Sequence, residues 1–235
     1  VIDRYDWAGG TEAMLRFGPA SGPVVVVALP LFEEANRTRA FTVTILRLLS
    51  ARGIASALPD LPGTGESETE TGQASLSHWR EAFAAATTAL RPIYDSIHIV
   101  ALRGGALVDH DAVAESRWHF APLPGARVIR DLGRVALAAA KEAGTSFDPA
   151  TLTTSGPPVE IAGNCLPRTL LGELAAAEPT SSGRLRTVRL GNDPMTADRH
   201  IDGAPLWRRS EPDNDIALAT LLADDIAGWI ATCGA

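Results

Sequence analysis

Ser96-Ile97-His98-Ile99-Val100-Ala101-Leu102-Arg103-Gly104-Gly105 starts as an apolar strand and breaks on an arginine followed by two glycines. Such a run, bounded by glycine, is the pattern of a strand buried on both faces of a largely parallel sheet. Upstream, Val24–Leu29 has the same character and is entered through a turn at Pro19, Gly22 and Pro23. Between the two runs, Thr38–Arg52 shows helical spacing through Phe41, Ile45, Leu48 and Leu49, with Gly53 as its C-terminal stop. Ile54–Leu58 reads as a further strand ending at Pro59-Asp60, and a polar, Gly-rich loop runs from Leu61 to Ala74. Ser77 is then the expected cap of an Ala-rich helix that begins near His78 and ends before Pro92. Alternating strands and helices predict an α/β fold: a mostly parallel sheet with right-handed crossovers, flanked by helices.

Working outward, Glu12–Phe17 is the first clear element, with Ala13, Leu15 and Phe17 alternating against Glu12, Met14 and Arg16. Beyond the central run, Arg117–Ala121 reads as a short strand and Ala126–Ala143 as an amphipathic helix ended by Gly144. Thr145–Pro158 is a Thr/Ser/Pro/Gly-rich connection, Pro167–Ala177 a helix, Arg184–Leu190 a strand and Ile216–Thr232 a final amphipathic helix. No internal repeat or low-complexity block occurs. The expectation is one domain over residues 1–235, with residues 122–180 an excursion or lid within it.

The 235 residues are 46% apolar, enough to bury roughly 70% of the surface an unfolded chain exposes, so no disulfide or metal is needed for a core. Lys and Arg total 21 against 28 Asp and Glu, a net charge of −7, which argues against nucleic acid and against an anionic membrane surface as partners. The longest apolar run, Val24–Phe32, is about half of a membrane span and contains a proline, so no span is expected. The opening residues carry no basic-then-apolar leader pattern. Cys165 and Cys233 form no CxxC pair, which points to a reducing compartment and a soluble cytoplasmic globule, and both read as packing residues.

Three segments together resemble the α/β-hydrolase fold: the strand Val24–Leu29, the loop Pro30-Leu31-Phe32 after it, and Asp60-Leu61-Pro62-Gly63-Thr64-Gly65-Glu66-Ser67. The last is similar to the D-x-x-G-x-G-x-S loop of that superfamily. The resemblance implies a nucleophile elbow after Ile97–Leu102, a strained strand-to-helix turn written G-x-S-x-G. Ala101-Leu102-Arg103-Gly104-Gly105 stands there, with small flanking residues but arginine at the nucleophile position. A guanidinium is cationic at any relevant pH and has no lone pair with which to attack an acyl carbon. No G-x-S-x-G occurs elsewhere. Asp193, in Gly191-Asn192-Asp193-Pro194, matches the usual place of the triad acid. The base belongs on the loop before the last helix, but Arg208–Asp215 contains no histidine, and His200 comes too early. An ordinary Ser-His-Asp triad is therefore excluded.

Within the superfamily, Pro30-Leu31-Phe32-Glu33-Glu34-Ala35-Asn36-Arg37-Thr38-Arg39 is similar to the P-F-x-E-E-x-N-x-x-R stretch of exosortase-system-associated hydrolase proteins. Ala101-Leu102-Arg103-Gly104-Gly105-Ala106 is similar to the G-L-R-L-G-A elbow of one such family, from which it departs at Ala101 and Gly104. Val159–Gly163, Pro205-Leu206-Trp207 and the terminal helix extend the likeness from about residue 10 onward, with Asn164-Cys165 a further departure. The resemblance implies a setting among bacterial exopolysaccharide and protein-sorting gene clusters but no established substrate; a small-molecule, acyl or glycan ligand is the partner expected here.

In an open α/β sheet Arg103 would project over the carboxyl ends of the strands, beside the loop carrying Glu33 and Glu34. Two arrangements satisfy it: a bidentate clamp on a ligand carboxylate or phosphate, or an ion pair with one of those glutamates that plugs the pocket. In the first, Glu33 or Glu34 could activate water if burial raised its pKa. Glu33, Glu34 and Asp193 are thus the catalytic candidates, and Arg103, Asn36, Arg37 and Gly104 the substrate-binding ones. Two functions follow: a divergent hydrolase using carboxylate-activated water, or a binding or accessory protein that keeps the fold without catalysis. No cofactor is expected, since Gly63-Thr64-Gly65 lacks the third glycine of a dinucleotide loop and no Walker-type lysine is present. Asp109-His110-Asp111 with Glu115 has metal-ligand residue types but no second His or Cys at ligand spacing, so no metal is expected. His98 reads as a hydrogen-bonded core histidine, and Trp118-His119-Phe120 and Trp207 as core aromatics or pocket walls.

Overall fold

The computed structural model describes residues 1–234. In chain order the elements are β1 (Ile2–Trp7), β2 (Gly10–Phe17), β3 (Pro23–Ala28), α1 (Glu33–Ala51), β4 (Ala55–Pro59), α2 (Leu76–Leu90), β5 (Ser96–Leu102) and β6 (Ser116–Phe120). There follow α3 (Gly125–Glu142), β7 (Val159–Ile161), β8 (Asn164–Leu166), α4 (Arg168–Ala175), β9 (Leu185–Leu190), β10 (Arg199–Ile201) and α5 (Ile216–Cys233). Eight strands make one sheet in the order β1-β2-β4-β3-β5-β6-β9-β10, and β7 and β8 form a separate hairpin. β1 and β2 enter antiparallel; from β4 to β10 every pairing is parallel.

The two valine- and isoleucine-rich runs are neighbours at the centre, with Val24 opposite Ile97 and Ala28 opposite Ala101. Strand period two divides β3 between two cores. Val24, Val26 and Ala28 face the layer of α2, α3 and α4, while Val25 and Val27 face α1 and α5. From β3 the chain leaves toward β4 on one side, and from β5 toward β6 on the other. The carboxyl ends of β3 and β5 therefore flank a topological switch point, where open α/β sheets bind ligands.

The loop after β4 is held by its own side chains. Asp60 Oδ1 accepts from both Nη atoms of Arg39 at 3.2 Å, and Oδ2 from the Glu66 amide at 3.1 Å. Ser67 Oγ accepts from the Gly63 and Thr69 amides at 3.0 and 3.1 Å. Gly65 sits at φ +57°, and a Cβ there would lie 2.3 Å from the Asp60 carboxyl carbon. The aspartate, glycine and serine of this motif thus shape a turn.

Several boundaries differ from the sequence expectation, each for a local reason. α1 begins at Glu33 rather than Thr38, because its N-cap is Phe32, at φ 56° and ψ −132° with no side-chain cap. Glu33 and Glu34 occupy its first turn, where carboxylates complement the helix dipole. α2 is capped by Ser75, whose Oγ accepts from the His78 amide at 3.1 Å, and not by Ser77. β1 carries one buried residue, Tyr5, so it lacks the alternation that marks a half-buried strand. The connection 145–158 holds a 3-10 turn, Pro149–Thr153, and the β7–β8 hairpin follows, turning through Ala162 and Gly163 at φ 49° and 76°. α5 is long and apolar enough to cross a membrane by length and composition. Here Leu218, Leu222, Ile226 and Ile230 are buried, and the helix also carries Asp224 and Asp225.

Candidate active site

At the carboxyl end of β5 the backbone turns sharply: Arg103 has φ 56°, in the left-handed region that costs a non-glycine residue about 1–3 kcal/mol. The elbow is present in its strained form, but it leads into a short 3-10 helix, Arg103–Leu107, rather than a full α-helix. Gly105 lets the turn press onto the end of β3, since a Cβ there would stand 2.4 Å from the Leu29 carbonyl oxygen.

Arg103 is 7% exposed and grips Glu34 with two bonds, Nε to Oε2 at 3.1 Å and Nη2 to Oε1 at 3.0 Å. Its Nη1 donates weakly to the Ala121 carbonyl at 3.5 Å, and its Cζ lies 4.3 Å from the centre of the Trp207 ring. Three of its five N–H groups are engaged, leaving two uncommitted. Trp207 also meets Phe120 edge-on at 5.8 Å, and its carbonyl accepts from Arg37 Nη1 at 3.2 Å. The loop between β10 and α5 thus brings an indole, not an imidazole, over the elbow residue. His200 instead sits exposed on β10, against the Met195 carbonyl at 3.1 Å.

Glu33 lies 3.6 Å from Arg37 Nε. Asp193 accepts from Arg189 Nη1 at 2.9 Å and from the Met195 amide at 3.0 Å. Burial pushes its carboxyl up, but the Met195 amide, Arg189 and the nearby Arg103 outweigh it and hold the pKa below the usual value. Asp193 stays a carboxylate, turned toward Arg189 rather than toward a base. Asn36 is not brought to Arg103; it lines a different cavity of about 270 Å³ beside Asp60 and Asn164. The reason is helical: at ~100° per residue Glu33, Glu34 and Arg37 share one side of α1, and Asn36 points ~160° from Glu34.

Two chambers meet at Arg103. One, of about 430 Å³, runs between the start of α1 and α3 and includes Glu33, Glu34, Arg37 and Gly104. The other, of about 410 Å³, lies between α3 and the loop after β9 and includes Asp193. No Ser, Thr, Cys, His or Lys lines either chamber among the described residues. The four carboxylates that do (Glu33, Glu34, Asp131 and Asp193) are each within ion-pair distance of an arginine. Three buried N–H groups on these walls have no hydrogen-bond partner: Arg37 Nε, Arg189 Nε and Trp207 Nε1. A site whose unmet groups are all donors suits an acceptor-rich ligand. The sequence reading missed Arg189 and the α3 arginines; Arg127, Arg130 and Arg134, spaced i, i+3, i+7, were the available signal for the latter.

Residues elsewhere are explained by packing. Asp109 is buried, accepting from His119 Nε2 at 2.8 Å and Thr180 Oγ1 at 3.0 Å, while His110 pairs with Asp111 on the surface. No group of three or more His, Cys, Asp or Glu residues is placed to hold a metal among the described residues. His98 lies between Ser96 Oγ at 3.0 Å and Ser116 Oγ at 2.9 Å, and burial lowers its pKa. Cys165 is exposed and Cys233 partly so, so neither is the buried packing residue expected.

No protein-family model and no curated protein matches the chain. Solved structures do. Est1E from Butyrivibrio proteoclasticus, with ferulic acid bound, is 14% identical at a TM-score of 0.62, over 97% of this chain and 99% of that one. XC6422 from Xanthomonas campestris, an α/β serine hydrolase without a lid, is 14% identical at 0.53, over 97% and 94%. The bottromycin epimerase BotH, in complex with bottromycin A2, is 15% identical at 0.54, over 97% and 98%. With the strand order and the elbow, these likenesses show an α/β-hydrolase fold.

Proposed function

We propose that this α/β-hydrolase-fold protein binds a small anionic ligand, acyl- or glycan-bearing, at Arg103 and does not carry out serine-type hydrolysis. One observation carries the reading: the elbow keeps its strained geometry but presents an arginine, held by Glu34 on one edge and roofed by Trp207. A residue paired this way keeps its cavity open on both sides, with two N–H groups left for a ligand oxygen. Glu34 gives both oxygens to Arg103, so it has little capacity to activate water. α3, within the 122–180 excursion, roofs the first chamber in the manner of a fixed lid. BotH, an epimerase solved with bottromycin A2, and Est1E, solved with ferulic acid, support the idea that this fold holds small-molecule ligands, a carboxylic acid among them. The resemblance of residues 30–39 and 101–106 to exosortase-system-associated proteins supports assigning that ligand to an exopolysaccharide or protein-sorting system.

The test pairs a panel of chromogenic esters and thioesters with octanoate binding followed by tryptophan fluorescence. Wild type and Arg103→Ser are both expected to give background turnover, because a serine at the elbow would still lack a base. Octanoate is expected to bind wild type at least tenfold more tightly than Arg103→Ala, the size of a lost charge-assisted bond. Turnover that survives purification and falls in Glu33→Gln or Arg103→Ala would replace this reading with the water-activating hydrolase.

A further inference from the structure

The two chambers differ in charge balance. The first sets the apolar side chains of Leu31, Phe32, Leu123, Val128, Leu132 and Val135 beside five arginines that face three carboxylates, Glu33, Glu34 and Asp131. The second is faced by five arginines, Arg103, Arg127, Arg130, Arg189 and Arg208, against the single carboxylate of Asp193, in a chain whose net charge is −7. Three of the five have acidic partners: Glu34 for Arg103, Asp131 for Arg127 and Asp193 for Arg189. Arg130 and Arg208 have no carboxylate within 4.0 Å among the described residues. The same chamber holds two of the unpartnered buried donors, Arg189 Nε, on a side chain 10% exposed, and Trp207 Nε1, on a residue 8% exposed.

An arginine that merely plugged a retired pocket would leave its surroundings neutral and satisfied. This chamber instead has two spare positive charges and two spare N–H groups, converging from α3, β9 and the β10–α5 loop. A carboxylate supplies one charge and two coplanar oxygens. A phosphate monoester supplies about −1.5 to −2 charges and three oxygens in a tetrahedral spread, matching donors that arrive from several directions. The first chamber begins at residues it shares with the second, Arg103, Leu123, Arg127, Trp207 and Arg208, and continues along the apolar side chains of α3.

We propose that the second chamber holds the phosphate head of an amphiphile whose apolar tail lies in the first chamber, along α3. The proposal rests on the reading of Arg103 as a ligand-binding residue and names the ligand class. Arg130 and Arg208, both exposed, close on the head from the rim, while Arg189 and Trp207 meet it from within.

Isothermal titration of the full chain with octyl phosphate below its micelle concentration, octanoate and inorganic phosphate tests it. Octyl phosphate is expected to bind at least tenfold more tightly than either of the others. The double variant Arg130→Gln/Arg208→Gln, which alters only exposed side chains, is expected to lose at least tenfold for octyl phosphate, lose clearly less for octanoate and keep the wild-type Tm. Val135→Asp, at the exposed end of the tail wall, is expected to weaken octyl phosphate but not inorganic phosphate. Absence of octyl phosphate binding, octanoate binding as tight as octyl phosphate, or an indifferent double variant overturns the proposal. Octanoate binding that depends on Arg103, without any phosphate preference, sinks the phosphate head alone and leaves the broader reading standing. Ester turnover dependent on Glu33 or Arg103, with no octanoate binding, sinks that broader reading itself.

Discussion

Asp225→Ala is expected to cost about 3 kcal/mol of folding stability, measured by urea denaturation at neutral pH. The Asp225 carboxylate is almost fully buried on α5 and accepts four bonds: Trp118 Nε1 at 2.8 Å, Arg186 Nε and Nη2 at 2.8 and 2.9 Å, and Arg199 Nη1 at 2.6 Å. It ties α5 to β6, β9 and β10 at once. Removing it strands a buried indole N–H and two guanidiniums; the latter are partly exposed and can recover water, which keeps the loss near the lower end for a broken buried pair. Burial pushes the Asp225 carboxyl up, but the bonds from Arg186, Trp118 and Arg199 overcome it and bring the pKa from 3.8 down to about 2. A folded-state pKa below the unfolded one stabilises the fold at pH values above the unfolded pKa, and that share disappears as pH falls through the folded pKa. About 2 kcal/mol is therefore expected to be lost between roughly pH 4 and pH 2. Asp225→Asn should flatten this part of the acid profile; an unchanged acid slope would place the titrating group elsewhere.

Gly105→Ala is expected to destabilise the protein by about 3 kcal/mol, the scale of forced overpacking against atoms that cannot move aside. The new Cβ would sit 2.4 Å from the Leu29 oxygen and 2.5 Å from the Ala28 oxygen, both backbone atoms at the end of the central strand β3. Relief requires the elbow to lift off β3, carrying Arg103 away from Glu34. The adjacent substitution makes the control: at Gly104 the nearest atom is the Leu31 side-chain Cγ at 3.1 Å, which can shift, so Gly104→Ala should cost about 1 kcal/mol. Thermal melts of the two variants, with octanoate binding on each, check both parts. Equal Tm losses would mean that the elbow is not pinned by the strand end.

The central sheet was legible because its strands are buried on both faces, and such burial writes predominantly apolar runs, rich in Val and Ile, at 24–29 and 97–102. Arg103 and Glu34 could be brought together on paper, since parallel neighbours β3 and β5 put their following loops at one edge. β1 was missed because Tyr5 is its one buried residue, and the start of α1 because Phe32 caps it through backbone conformation alone. Asn36 is a candidate through the P-F-x-E-E-x-N-x-x-R resemblance, which carries no helical phase, and rotation along α1 turns it away from Glu34. Trp207 and Arg189 reach the elbow through packing of remote segments, which leaves no local pattern to read; Pro205-Leu206-Trp207 marked the segment but not its destination.

The layer that seals Val25, Val27 and Val100 comes from α1 and α5, helices from opposite halves of the chain. On a ribosome α1 emerges well before α5, so part of this cover is made much later than the strands it seals. Until residues 216–233 have been synthesised, the part of this sheet face that α5 covers stands open to water and to other nascent chains. Docking of α5 also places Asp225 against Trp118, Arg186 and Arg199, so the closing helix buries the sheet and fixes β9 and β10 together. The loops that carry Asp193 and Trp207 extend from those strands, so the candidate site takes shape only once α5 has been made and has docked.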